Sequence, residues 1–227
     1  MINPASPEII TAILSNYHKI TTHLQELSKT SNHPPADLMV VTKNQPAEYV
    51  IPLLEAGHRF FGENRVQEAT LKWPNLKKKY PDIRLHLIGP LQRNKVNNAL
   101  NLFDGIEIID QKKLIDSIVE QLQWAEATPK QFLVQVNIGQ EPQKSGVLPE
   151  DLSKLLDYAH ENSLPVKGLM CIPPAGEDPT LFFKQFKQLA IKHNLLQLSM
   201  GMSDDYPIAV ALGSSWIRVG SSIFNPL

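Results

Sequence analysis

The chain has 227 residues, 42% of them hydrophobic and 20% charged, the balance of an ordinary globular protein able to bury a sizeable core. Its formal net charge is -1, so no global field draws it to nucleic acid or to anionic lipid. The lone cysteine, Cys171, excludes an internal disulfide. With no basic and apolar leader pattern and no apolar run near the roughly 18 residues of a membrane span, the chain reads as cytoplasmic.

In chain order, Ile9, Ile10, Ile13, Leu14, Tyr17, Ile20 and Leu24 recur at helical spacing and predict a helix over residues 6–28. Ser6 is its cap and Pro7 its first helical residue. His33-Pro34-Pro35 breaks the chain before a strand at 38–42. A helix over 47–56 ends at Gly57, and a short strand covers 59–62. The helix over 66–79 contains Pro74, which is expected to bend or interrupt it, and its basic end Lys77-Lys78-Lys79 reads as a solvated face. Strands at 84–88, 105–109 and 132–136 lead to helices at 94–102, 112–125 and 149–161. Strands at 166–171 and 198–202 lead to helices at 180–193 and 207–212, and an eighth strand covers 216–219. Parallel strands need such crossovers, and eight of them, at ~28 residues each, predict a single (β/α)8 barrel of the TIM type with an extra N-terminal helix. A doubly wound open sheet is the alternative, but its GxGxxG fingerprint is absent.

In such a barrel chemistry belongs at the C-terminal ends of the strands. Lys43 directly follows the apolar run Leu38-Met39-Val40-Val41 and should project toward the barrel mouth. Partial burial there would lower its pKa and leave an amine able to attack an aldehyde. By position alone, a surface lysine closing a strand serves as well. Gly220-Ser221-Ser222 follows the eighth strand, where this fold commonly holds phosphate; it can also be an ordinary turn. Ser203 and Asp204 either join that cradle or cap a helix. Arg218 lies inside the eighth strand on the face of Trp216, and taken alone it reads as a structural salt bridge. Together, a reactive lysine, a phosphate cradle and an arginine across one mouth suit a phosphorylated aldehyde or ketone.

Six segments occur in one order along nearly the whole chain: Val40-Val41-Thr42-Lys43, FGENRVQE (61–68), HLIGPLQRNK (86–95), KSG (144–146), SMGMSDD (199–205) and IRVGSSIF (217–224). On these the sequence resembles the pyridoxal phosphate homeostasis proteins, the YggS-like or PROSC-like family. The resemblance implies a barrel like the N-terminal domain of alanine racemase, spanning residues 1–227 as one domain without that enzyme's second domain. It implies pyridoxal 5′-phosphate (PLP) bound covalently to Lys43 as a Schiff base. Arg218 should face the pyridine nitrogen, Gly220 and Ser221 should hold the phosphate with help from Ser203, and Asn64 and Met200 should line the cofactor. Lys144 matches a second lysine associated with cofactor handling. The chain departs from the family pattern at Ser221, where threonine is common, and at its end, Phe224-Asn225-Pro226-Leu227, where glycine often follows the phenylalanine.

An arginine against the ring nitrogen disfavours its protonation and so weakens the electron sink on which PLP catalysis depends. Racemases of this fold add an acid–base tyrosine from a second domain, for which 227 residues leave no room. A dimer partner's tyrosine, or Tyr206, would be the substitute. The expectation is a non-catalytic, monomeric protein that buffers PLP and delivers it to PLP-dependent apoenzymes, affecting amino-acid and keto-acid metabolism indirectly. No nucleic-acid or membrane partner is expected. The alternatives are a PLP-dependent racemase or other low-activity enzyme, and a colourless Schiff-base aldolase acting on a sugar phosphate.

Overall fold

A computed structural model describes residues 6–124 and 131–225. Eight strands close into a barrel in chain order, every neighbouring pair parallel: Asp37–Val41 (β1), Phe60–Glu63 (β2), Arg84–Leu87 (β3), Gly105–Ile109 (β4), Gln131–Val136 (β5), Val166–Cys171 (β6), Gln197–Ser199 (β7) and Trp216–Val219 (β8). The last strand returns to the first, with Met39 opposite Arg218 and Val40 opposite Val219. The helices Ala47–Glu55 (α2), Val66–Lys79 (α3), Val96–Leu102 (α4), Lys112–Leu122 (α5), Leu152–Glu161 (α6), Pro179–Lys192 (α7) and Tyr206–Ala211 (α8) make the crossovers. Before them stands Pro7–Thr30 (α1), and after β8 comes one turn, Ser221–Phe224 (α9). The open-sheet alternative is excluded by closure, and the extra N-terminal helix is present. No helix among the described residues is long and apolar enough to cross a membrane.

The strands are apolar because both faces are covered, by helices outside and by packed side chains within. The rings of Phe60, His86 and Trp216 meet edge-on inside the barrel, with centroids 4.8–5.9 Å apart, so the interior is a filled core and not a pore. The α1 helix starts as expected: Ser6 Oγ accepts from the Ile9 amide and Pro7 takes the first position. It buries Ile13, Ile20 and Leu24 and packs on α2, α8 and α9.

Several boundaries differ from expectation. Strand β1 ends at Val41, so Lys43 lies two residues beyond it in a turn. Pro74 does not interrupt α3, because Trp73 and Leu76 anchor the helix in the core on either side. The helix expected at 94–102 begins as a 3-10 turn, Arg93–Lys95. Strand β7 has only three residues, because Gly201 takes a φ of 96°, which L side chains resist. Helix α5 ends at Leu122, and Ala125 lies outside the described residues.

Candidate functional site at the barrel mouth

The ends of β1 and β8 are neighbours, and their closeness depends on a glycine. A Cβ added at Gly220 would lie 2.8 Å from the Val41 carbonyl oxygen. The turn carrying Lys43 and the turn carrying Ser221 therefore leave the barrel side by side. The N–H groups of Ser221 and Ser222 open α9, where no intrahelical acceptor exists for them. Ser203, on the loop after β7, places its Oγ 3.0 Å from Ser221 Oγ. Two hydroxyls and two amides without an acceptor among the described residues thus lie beside the end of β1. Neither Ser203 nor Asp204 caps α8; Asp205 closes that loop by accepting from the Met202 amide. Burial raises the Asp205 pKa, an effect opposed by the Met202 amide and by Arg218.

Lys43 is exposed, so the expected partial burial is absent. Its orientation follows from alternation along β1. Met39 pairs with Arg218 on the interior side, and the Thr42 hydroxyl turns outward to donate to Glu63 Oε1 at 2.6 Å. Lys43 follows in the turn at the C-terminal end of β1, the mouth end of the barrel, and is exposed there.

Arg218 is 4% exposed. It makes no direct ion pair among the described residues, contrary to the salt-bridge reading. Its Nη1 donates to Ser199 Oγ at 2.7 Å and its Nη2 to the Cys171 carbonyl at 2.7 Å. Ser199 passes the contact on, donating to Glu107 Oε2 at 2.5 Å. Glu107 is fully buried and also accepts from His86 Nδ1 at 2.7 Å and Trp216 Nε1 at 2.9 Å. A buried cation is therefore balanced by a carboxylate one hydroxyl away, which holds the guanidinium inside the barrel. The Cys171 thiol beside it is pushed far up by burial and is no nucleophile.

The remaining predicted residues divide. Asn64, after β2, has a buried side-chain oxygen with no partner among the described residues, an acceptor waiting for a donor. Met200 is fully buried and supports the mouth without lining its surface. Lys144 pairs with Glu141 at 2.5 Å and reaches the Pro173 carbonyl at 3.3 Å, which ties the β5 and β6 loops together. Nearby, burial raises the Asp110 pKa, with the Gly146 amide opposing it. Tyr206 turns its hydroxyl toward α1. Its hydroxyl lies 2.6 Å from His23 Nδ1 on α1, in the helical layer.

Sequence reasoning missed the Ser199–Glu107–His86 network. Its signal was present: a charged residue inside Ile106-Glu107-Ile108-Ile109 is as anomalous as Arg218 in its own strand. A cavity of about 600 Å³ lies at the opposite end, between α1 and the starts of β1–β3. Its arginines are already bound, Arg84 to Asp37 and Arg59 to Asp82, so it offers less unsatisfied chemistry than the mouth.

The residues at the mouth fit a phosphorylated aldehyde: hydroxyls and amides for a phosphate, an exposed amine, a fixed guanidinium and an unpaired amide oxygen. Residues 15–226 match the family described as alanine racemase, N-terminal domain. The chain is 35% identical over 220 residues to the pyridoxal phosphate homeostasis protein of Haemophilus influenzae, covering 91% of each. It is 33% identical over 229 residues to that of Vibrio alginolyticus, covering 95% of this chain and 98% of the relative. The solved structure of PipY from Synechococcus elongatus with PLP bound is 32% identical and has a TM-score of 0.80, with 94% of this chain and all of that chain covered. Alanine racemase from Corynebacterium glutamicum, at 18% identity and a TM-score of 0.62, shares the fold; the match spans 60% of it.

Proposed function

The chain belongs to the pyridoxal phosphate homeostasis protein family, and from that premise we propose that its barrel mouth binds PLP on Lys43 and holds it for release. The observation that supports the reading is the junction of β1 with β8, where the turn that carries exposed Lys43 adjoins the turn that carries Ser221 and its hydroxyl partner Ser203. When bound, PLP supplies an aldehyde for the amine and a ring that can accept electrons.

Each residue then has a physical task. Ser203, Gly220, Ser221 and the Ser222 amide hold the phosphate through neutral donors. That anchoring raises the local aldehyde concentration at Lys43, so proximity promotes the attack of the amine. Asn64 offers its unpaired oxygen to a donor on the cofactor. Arg218 presents N–H donors to the ring nitrogen and disfavours a proton there.

This arrangement suits storage better than turnover. The guanidinium weakens the electron sink, and the one tyrosine considered for acid–base work is tied to His23. Residues 1–227 act in this reading as one cofactor-binding domain, a cytoplasmic monomer that passes PLP to apoenzymes without catalysing a reaction. The test is incubation of PLP-loaded protein with a panel of amino acids and with a PLP-requiring apoenzyme. The expected result is reactivation of the apoenzyme with no turnover above that of free PLP. Rapid, saturable racemisation or transamination would establish an enzyme instead.

A further inference from the structure

We infer that Lys72, Glu63 and Glu68 form a clamp that positions Lys43 by fastening the backbone on both sides of it. This rests on the reading of Lys43 as the attachment point. Lys72, on α3, donates to the Thr42 carbonyl at 2.7 Å, to Glu63 Oε1 at 2.8 Å and to Glu68 Oε1 at 2.9 Å. The residue before Lys43 is thereby held at its carbonyl by Lys72 and at its hydroxyl by Glu63. The residue after it, Asn44, has a φ of 59° and donates its amide to Glu68 Oε1 at 2.7 Å. The Gln45 amide closes the turn on the Thr42 carbonyl at 3.1 Å.

A purely structural role explains this cluster poorly. Buried ion pairs add little stability over an apolar packing of equal volume. Here the Lys72 and Glu63 side chains are 6% and 0% exposed, and Glu63 Oε2 is buried without a partner among the described residues. Such polar groups are costly at the outer face of a barrel unless their geometry serves something. What they serve lies between Thr42 and Asn44. Holding both neighbouring peptides limits the directions open to the Lys43 side chain and keeps its amine beside the Ser221 turn. Lys72, Glu63 and Glu68 touch no cofactor atom in this scheme; they act through Lys43.

The experiment compares wild type with Glu68→Ala, Glu68→Gln and Lys72→Met, each loaded with PLP. Glu68 is partly exposed on α3, and alanine keeps the helix, so this variant folds even if Lys72→Met does not. The readouts are the PLP release rate, the pH midpoint of the visible absorption band and the thermal midpoint. We expect about tenfold faster release and a moved pH midpoint in Glu68→Ala, the scale of one charge-assisted hydrogen bond. Glu68→Gln, which keeps a neutral acceptor for the Asn44 amide, recovers most but not all of that change. If Glu68→Ala changes only the thermal midpoint, the clamp is overturned. Borohydride labelling of wild type separates the two levels. Label on Lys43 with unchanged release in Glu68→Ala sinks the clamp alone, whereas absence of label on Lys43 sinks both the clamp and the reading beneath it.

Discussion

At the scale of single residues, Arg218 concentrates the chemistry of the mouth. Its two acceptors come from β6 and β7, and its counter-charge is reached only through Ser199. Replacing it by methionine loses two charge-assisted hydrogen bonds and leaves Glu107 without its balancing cation. We expect a loss of roughly 2–4 kcal/mol in urea unfolding. We also expect a shift in the absorption band of bound PLP, because a ring nitrogen freed from the guanidinium can be protonated. An unshifted spectrum in a folded Arg218→Met protein would remove the arginine from the ring. The hydroxyls are simpler. Ser203→Ala and Ser221→Ala should each weaken PLP binding about tenfold, the cost of one hydrogen bond to a charged group. Because the two oxygens are 3.0 Å apart, the double variant should fall short of the product of the singles. Fluorescence titration checks both, and full affinity in the double variant would place the phosphate elsewhere.

At the scale of elements, most helices were legible because their apolar residues recur at helical spacing. The Ser6-Pro7 start survived because its cap is purely local. What failed was decided by neighbours. Pro74 read as a break, yet tertiary burial of Trp73 keeps α3 whole. The length of β7 was hidden because Gly201 shows only that a turn is possible, not where the strand stops. The joint between α1 and β2 was not visible at all. There His58 donates from Nε2 to the Phe60 carbonyl at 2.7 Å and faces the Tyr17 hydroxyl at 3.4 Å. Burial, reinforced by the Arg84 and Arg59 charges, pushes its pKa down to about 4 from the ordinary 6.5, against the Phe60 carbonyl and Asp37. Between those values the unfolded chain binds more protons than the folded one. The contribution is complete above pH 6.5 and is lost as pH falls toward 4, for a total of roughly 3 kcal/mol. Urea unfolding at pH 7 and pH 5 should show a smaller drop in His58→Gln than in wild type; equal drops would mean that His58 does not titrate in this window.

At the scale of the whole molecule, closure of the barrel explains why the site was legible and its support was not. Counting eight strand-and-helix units was enough to expect a barrel and to look at the C-terminal strand ends, where Lys43, Ser203, Gly220 and Ser221 are found. Local rules could not supply contacts that depend on the tertiary arrangement: β8 against β1 at closure, Ser203 against Ser221 between neighbouring loops, and Arg218 linked to Glu107 through Ser199 across the interior. The expected burial of Lys43 failed for the same reason, since exposure at a mouth depends on the loops around it. Cofactor attachment at the mouth depends on that lysine. Protein loaded with PLP should absorb visible light, and borohydride should abolish the band and leave the mass of reduced PLP on the peptide containing Lys43, with no band in Lys43→Ala. A modified peptide that does not contain Lys43, or a visible band that survives in Lys43→Ala, would contradict it.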